Sequence, residues 1–285
     1  HQERRLGVAD AERIVVVGNG MVGYWFCRSL AERDRAGCVA GTVIGDEPRP
    51  AYDRVNLTDV FEGESVEGLE LADRAWYEAR GIDLVTDQRV VSIDRDAQEV
   101  VTEGGERYPY DRLVLATGAR PFVPELPGND LPGVHVYRTV EDVAAIREAS
   151  QSAKSAVVIG GGLLGLEAAR AVQAMGVQTV VCERSAGLMA RQLDAASANI
   201  LRAEVQKLGI DVQTMYRLAS ITQRPDADDQ PALRLCFEDG KEPVDADLVI
   251  FAAGIRSRDE LARDAGIEVA GVDRGILVDN SLTTS

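Results

Sequence analysis

The sequence predicts an α/β protein built from two parallel-sheet domains, one inserted in the other. Three observations predict this fold class. A β-branched run at residues 13–17 is followed by a glycine-rich turn, an apolar helix and a second strand ending at residue 44. The same order begins again at residue 156, and the two turns start 142 positions apart. Each half also holds a further apolar strand ending in small residues, at 112–115 and 247–251. Short apolar runs bounded by turns are typical of buried parallel strands.

Taken in order, the elements form two βαβ units. Residues 1–12 are polar, and we expect them to be frayed. The first unit has a strand at 13–17, a helix to about 32 and a strand at 39–44. The second has a strand at 156–159, a helix at 166–175 and a strand at 178–182. Residues 119–133 are rich in proline and glycine and predict a crossing linker, residues 223–230 predict an exposed loop tip, and 233–237 predict a strand.

Composition excludes several function classes. The 285 residues include 31 Lys and Arg against 47 Asp and Glu, which gives a net charge of −16 and argues against a nucleic-acid partner. No apolar run approaches the roughly 18–20 residues that span a bilayer, and no signal-peptide pattern opens the chain. We therefore expect a cytoplasmic protein without a membrane segment.

The four cysteines are widely scattered, and no pair has CxxC or CxxxxC spacing. With only two histidines besides, the sequence predicts no metal site and no redox disulfide. Cys27 falls among apolar residues of the first helix, which favours packing over reactivity.

Both glycine turns follow the pattern GxGxxG between a strand and a helix. The first holds Gly18, Gly20, Met21, Val22 and Gly23, and the second holds Gly160, Gly162, Leu163, Leu164 and Gly165. In this pattern the glycines allow a tight turn and close approach of a pyrophosphate to the helix N-terminus. An acidic residue about 20 positions further on is typical of ribose binding. Asp46 or Glu47 fits in the first unit, with Glu47 slightly favoured, and Glu183 fits in the second. Each unit is therefore predicted to be a Rossmann-like dinucleotide-binding domain.

Two further motifs come after the apolar strands at 112–115 and 247–251, namely Ala116-Thr117-Gly118 and Ala253-Gly254-Ile255-Arg256. With the glycine turns, they occur in the order seen in pyridine-nucleotide oxidoreductases, a flavoprotein family. The chain resembles this family from about residue 13 to 285. The resemblance implies a glutathione-reductase-like fold with FAD in the first unit, NAD(P)H in the second, and the nicotinamide near the flavin. It implies an FAD-binding domain at 1–125, an NAD(P)H-binding domain at 126–251, and a return to the FAD-binding domain at 252–285.

The resemblance also implies roles for individual residues. Glu167 would lie by the nicotinamide, although at a helix start it could merely favour the helix dipole. Val90 and Val91 would edge the adenine. Arg54 would pair with the FAD pyrophosphate, or else form an ordinary surface salt bridge. The Glu183 carboxylate favours NADH because it repels a 2′-phosphate, whereas Arg184 is of the type that accommodates NADPH. Ala116, Thr117, Gly118, Ala253 and Gly254 would pass close to the bound cofactors.

Within the family, the sequence is most similar to the flavin modules of assimilatory NAD(P)H nitrite reductases, in the segments 17–23, 47–57, 136–142, 160–169 and 188–194. This likeness implies that electrons pass from NAD(P)H through FAD to iron–sulfur and sirohaem centres in a region after Ser285, or to a small electron-transfer subunit. Ferredoxin reductases of this type carry a lysine where this chain has Asp59. The alternatives are a stand-alone rubredoxin- or ferredoxin-type reductase and a non-enzymatic nucleotide-binding protein. A homo-oligomer is compatible with each of these three interpretations.

Overall fold

The computed structural model describes residues 11–34, 37–224 and 232–285, and for Glu62 the backbone alone. Most of the frayed end predicted at residues 1–12 and of the loop tip predicted at 223–230 lies outside the described residues. Where the structure describes them, both predictions are wrong by a residue, because Glu12 already belongs to the first strand and Gln223 ends a strand. The described chain divides into two compact units. Unit 1 contains residues up to Arg54, Glu67–Arg120 and Arg256–Ser285, and unit 2 contains Val55–Val66 and Pro121–Ile255.

The described residues form helices and strands in mixed order along the chain. The helices are α1 (Met21–Arg33), α2 (Asp59–Glu62), α3 (Arg74–Glu78), α4 (Val140–Ser150), α5 (Leu163–Ala174), α6 (Ala195–Lys207) and α7 (Glu260–Asp264). The strands up to residue 121 are β1 (Glu12–Val17), β2 (Val39–Ile44), β3 (Ile82–Val85), β4 (Val90–Asp94), β5 (Glu99–Thr102), β6 (Arg107–Pro109), β7 (Arg112–Leu115) and β8 (Ala119–Pro121). The later strands are β9 (Val134–Val136), β10 (Ser155–Ile159), β11 (Gln178–Glu183), β12 (Ile210–Thr214), β13 (Leu218–Gln223), β14 (Leu233–Phe237), β15 (Val244–Ala246), β16 (Leu248–Phe251) and β17 (Ile255–Ser257).

Unit 1 is centred on a parallel sheet in the order β3-β2-β1-β7, beside an antiparallel sheet β4-β5-β6. Both faces of β1 are covered. Ile14 and Val16 pack with Tyr24 and Cys27 of α1 on one side, and Val15 and Val17 join the cluster of the antiparallel sheet and α7 on the other. This two-sided burial explains why β1 is apolar at every position from 14 to 17 instead of alternating with polar residues.

Unit 2 repeats this plan. Its parallel sheet has the order β12-β11-β10-β16-β9, and its antiparallel sheet has the order β13-β14-β15. In both units the strand before the glycine turn is central, flanked by the next strand on one side and by the strand that follows the antiparallel sheet on the other. Because all strands of each main sheet are parallel, their carboxyl ends lie along one edge, where open α/β sheets bind ligands. The predicted α/β class with two Rossmann-like units is confirmed.

Element boundaries differ from the predicted ones by a few residues. The second βαβ helix, α5, begins at Leu163, directly after Gly162, because the last glycine of the turn is itself helical. Strand β16 begins at Leu248 because Asp247 accepts backbone hydrogen bonds from Lys154 and Ser155 at the strand entry. The domain boundaries at 125/126 and 251/252 stay predictions. Among the described residues, no helix has the length and apolar character that crossing a membrane requires.

Candidate dinucleotide-binding sites

The first glycine turn of unit 1 brings two backbone segments into contact. Gly18 has φ +111°, and a Cβ on it would lie 2.1 Å from the carbonyl oxygen of Ala116, at the end of β7. A Cβ on Gly23 would lie 2.0 Å from the carbonyl oxygen of Gly18. A side chain at either position would therefore push α1 off the sheet. Gly20 is different, because a Cβ there would meet no atom within 4 Å.

The second turn, in unit 2, has the same geometry. Gly160 has φ +117°, and its Cβ would lie 2.5 Å from the carbonyl oxygen of Ala252 and 3.1 Å from Cα of Ala253, which precedes the exposed Gly254. A Cβ on Gly165 would lie 2.0 Å from the carbonyl oxygen of Gly160. Gly162 again faces open space. In each turn, the first and last glycines of the GxGxxG pattern are required by the fold, and the middle one leaves room for a ligand.

Both helices begin without a capping side chain. Gly20 and Gly162 are the N-cap residues of α1 and α5, neither first turn contains an acidic residue, and Val22 and Leu163 are largely exposed. The first N–H groups of a helix have no partner inside the helix, and the dipole places partial positive charge there. These two helix ends, with Met21 and Leu164 in their first turns, are therefore suited to phosphate groups.

A cleft of about 300 Å³ opens beside the first turn, a volume at the lower end for small-molecule sites. All of its lining residues belong to unit 1. They include the predicted residues Gly18, Asp46, Val90, Val91 and Thr117. They also include residues that the sequence analysis missed, namely Gln88, Arg89, Glu103, Arg258, Glu260, Leu261 and Asp264.

Asp46 and Glu47 have different surroundings. Asp46 lines the cleft, where its Oδ2 lies 2.6 Å from Nη1 of Arg258. Glu47 instead accepts hydrogen bonds from the Tyr52 hydroxyl, at 2.8 Å, and from Nη2 of Arg54, at 2.5 Å. The two predicted ligands Glu47 and Arg54 thus bind each other, with the Arg54 guanidinium 4.7 Å from the Tyr52 ring centre.

Glu260 lines the cleft, and one of its carboxylate oxygens has no hydrogen-bond partner. Its Oε2 is buried and unbonded, whereas Oε1 lies 3.7 Å from Nη2 of Arg89. A buried carboxylate oxygen without a donor costs free energy. Little in the sequence indicates that Glu260 lies at this cleft, because it belongs to the short helix α7, far along the chain from the glycine turn.

Glu183, at the end of β11, lies against the second turn. Its Oε2 accepts from the backbone N–H of Gly161 at 2.7 Å, and its Oε1 accepts from the N–H of Ser185 at 2.7 Å. These bonds hold the carboxylate beside the glycine turn, where the ribose of a dinucleotide would lie. The neighbouring Arg184 is exposed.

Glu167 lies on the second turn of α5 and is half-buried. Its Oε2 accepts a hydrogen bond from Oγ1 of Thr58 at 3.2 Å, and the same Oγ1 lies 2.7 Å from Oη of Tyr137. All three residues belong to unit 2. The sequence analysis predicted Glu167 but neither of its partners.

The buried cysteines have no reactive features. Burial raises the pKa of the Cys27 thiol to about 12, and burial likewise raises the pKa of Cys182 to about 12, so both stay protonated at neutral pH. Each packs in an apolar cluster. Across residues 11–34, 37–224 and 232–285, no group of three or more His, Cys, Asp and Glu residues is arranged to hold a metal ion.

Comparison with known proteins agrees with this geometry. The family model described as pyridine nucleotide-disulphide oxidoreductase matches residues 12–285. The chain is 42% identical, over 95% of its length, to a nitrite reductase [NAD(P)H] large subunit from Klebsiella oxytoca, and 38% identical, over 96%, to a nitrite reductase (NADH) large subunit from Escherichia coli. A solved ferredoxin reductase from Rhodopseudomonas palustris matches 96% of this chain and 65% of its own, with a TM-score of 0.87 and 28% identity.

The chain spans only part of these relatives. It covers 28% of the Klebsiella protein and 32% of the Escherichia coli protein, so about a third of each at most.

Proposed function

Because the chain belongs to the pyridine nucleotide-disulphide oxidoreductase family, we propose that it is an FAD-dependent NAD(P)H oxidoreductase module, with FAD held by unit 1 and NAD(P)H by unit 2. The observation that carries the proposal is the repeated glycine turn. Each turn opens on an uncapped helix end, has one glycine free of neighbours, and lies beside an acidic residue of the next strand.

In unit 1, the residues present fit the adenosine and pyrophosphate parts of FAD. The N-terminus of α1 would bind the pyrophosphate, and Asp46 would accept from the adenosine ribose. Val90 and Val91 would provide an apolar wall for the adenine. Arg54 would act through Glu47, since these two are paired with each other. When bound, FAD supplies the redox chemistry, because a flavin accepts two electrons together and releases them singly.

In unit 2, the residues present fit a nicotinamide dinucleotide. The N-terminus of α5 would bind its pyrophosphate, and Glu183 would accept from the adenosine ribose. A carboxylate at this position disfavours a 2′-phosphate by charge repulsion, which supports NADH over NADPH. Glu167 would lie at the nicotinamide. No reactive thiol is needed, and the spacing of the four cysteines excludes a CxxC or CxxxxC pair.

We place the module at the electron-input end of a nitrite reductase, with electrons leaving FAD for iron–sulfur and sirohaem centres elsewhere in the same protein. The identity of 42% and 38% to nitrite reductase subunits supports this placement. A stand-alone ferredoxin-type NAD(P)H reductase is the second candidate, and the likeness to the solved ferredoxin reductase favours it.

The test is an anaerobic titration of the FAD-loaded protein with NADH, followed by its visible absorbance. We expect the flavin band to bleach with NADH and more slowly with NADPH. Protein that binds FAD but is never bleached by either nucleotide would contradict an oxidoreductase function. Two reoxidation experiments then separate the candidates. Nitrite should restore the colour only in the full-length protein that carries iron–sulfur and sirohaem centres, whereas an oxidised ferredoxin should restore it in the reduced module itself if the protein is a ferredoxin-type reductase.

A further inference from the structure

Three side chains of unit 2 form a hydrogen-bonded chain that ends on Glu167. Thr58 Oγ1 donates to the Glu167 carboxylate, so its single proton is already committed. The 2.7 Å contact between Thr58 Oγ1 and Tyr137 Oη must then be donated by the tyrosine. The two hydrogen bonds are therefore donated in one direction, from Tyr137 to Thr58 and from Thr58 to Glu167.

Tyr137 is a fixed donor. Its side chain is buried, with 1% exposed, and burial raises the pKa of its hydroxyl to about 12, so it keeps its proton at neutral pH. Its ring packs against Phe61 with the ring centres 5.7 Å apart.

The hydroxyl of the partly buried Thr58 has no capping role. Thr58 precedes α2 at the N-cap position, yet its side chain makes no capping hydrogen bond. Arg147 of α4 donates to the carbonyl oxygen of Val60, which fastens the segment to unit 2. The hydroxyl of Thr58 is thus directed to Glu167 and Tyr137 and not to its own helix.

The strand order of unit 2 shows which half of a dinucleotide these three side chains face. Glu183 ends β11, on one side of the central strand β10, and Tyr137 directly follows β9, two strands away on the other side. A dinucleotide whose pyrophosphate lies at α5, and whose adenosine reaches Glu183, must extend its other half towards β16 and β9. Glu167, held by Thr58 and Tyr137, lies on that side.

We propose that Thr58 and Tyr137 are positioning residues that hold the Glu167 carboxylate for the carboxamide of the nicotinamide ring. This inference rests on the proposed function of unit 2 as the NAD(P)H site. The carboxamide has two N–H donors, and an oriented carboxylate accepts from one of them. A fixed carboxylate thereby selects one orientation of the ring, at a small entropic cost on binding.

The test compares NAD⁺ with ADP-ribose, which lacks the nicotinamide, as ligands of the FAD-loaded protein. In T58V, which removes the hydroxyl but keeps the shape, we expect the Kd for NAD⁺ to rise about ten-fold, as for one lost hydrogen bond to a charged group. The Kd for ADP-ribose should not change. T58S should restore NAD⁺ binding, and Y137F should weaken it about three-fold. T222V, on the exposed face of β13, is the matched control.

Two further measurements make the inference falsifiable. The double variant T58V/E167A should bind NAD⁺ as E167A does, because Thr58 acts through the side chain of Glu167 and alanine leaves it nothing to hold. Equal weakening of NAD⁺ and ADP-ribose in T58V, or unchanged NAD⁺ binding, would overturn the positioning role while leaving the proposed function intact. Failure of the unaltered protein to bind either ligand would overturn both.

Discussion

Arg258 and Asp46 form an ion pair at 2.6 Å in unit 1, although 212 positions separate them in the sequence. The backbone of Arg258 is fixed as well, because its N–H donates to Gly118 and its carbonyl oxygen accepts from Thr117. The end of β2, the turn after β7 and the returning segment therefore meet at one cleft. An aspartate so placed is oriented before any ligand arrives, which lowers the entropic cost of binding.

Replacing Asp46 should weaken FAD binding more than replacing Glu47. Asp46 lines the cleft, whereas Glu47 is bonded to Tyr52 and Arg54. We expect D46A to raise the Kd for FAD at least about ten-fold, the effect of losing hydrogen bonds to a charged group. Fluorescence titration of the apoprotein with FAD measures this. E47Q is the matched control, and an equal or larger loss in E47Q would assign the ribose to Glu47.

Two glycines of the first turn should separate folding from ligand binding. G18A forces a Cβ to 2.1 Å from a backbone oxygen at φ +111°, and should lower the free energy of unfolding by ~2–4 kcal/mol. G20A places its methyl in open space, at an extended backbone position, so it should cost less than ~1 kcal/mol. The same methyl would lie where the phosphates approach the helix end. We therefore expect G20A to lose FAD affinity while its urea unfolding without FAD is nearly unchanged.

The outcome that contradicts this separation is a G20A protein with unaltered FAD affinity, which would place the pyrophosphate elsewhere. G162A in unit 2 extends the test, since Gly162 is also free of neighbours. It should weaken NADH binding and leave FAD binding intact.

The glycine turns and their strands were predictable because the pattern of strand, glycine turn, helix and second strand lies within about 30 residues of sequence. The sequence could not show that Asp46 and not Glu47 lines the cleft, because adjacent residues leaving a strand point in different directions and Arg258 returns from far along the chain. Which of the two binds the ribose stays a prediction. The role of Thr58 and Tyr137 as partners of Glu167 could not be predicted for a related reason. Their contact spans 79 positions, and it exists because residues 55–66 pack in unit 2 and not in the unit of their neighbours.

Glu183 should control the choice between nicotinamide nucleotides. We expect E183A to weaken NADH about ten-fold, because a ribose hydroxyl loses a charged acceptor, and to leave NADPH unchanged or improved. Rapid-mixing measurements of flavin reduction, made separately with NADH and with NADPH, give the Kd for each nucleotide and test this prediction. Glu183 also accepts from the N–H of Gly161. E183Q is therefore the control, because it removes the charge but keeps one oxygen that can accept a hydrogen bond. Equal losses for both nucleotides in E183A would mean that the carboxylate only supports the turn.

The Asp111 carboxylate should make unit 1 more stable above about pH 4 than below it. Arg13 donates to it through Nη2 at 2.7 Å, Nε at 3.1 Å and its backbone N–H at 2.8 Å, and these hydrogen bonds lower the pKa of Asp111 to about 2. The unfolded-state value is about 3.9. A folded pKa below the unfolded one gives stability that is complete above the unfolded value and is lost as pH falls towards the folded one.

D111N should therefore unfold at lower urea concentration at neutral pH, and its stability should change less between about pH 4 and pH 2 than that of the unaltered protein. D83N removes one carboxylate from an exposed position on β3 of the same unit and is the matched control. Urea midpoints measured across this pH range decide the matter, because both variants lose the same charge but only D111N loses the hydrogen bonds from Arg13. If the two variants showed parallel curves, the effect would come from net charge, and the Arg13–Asp111 pair would contribute nothing to the acid sensitivity.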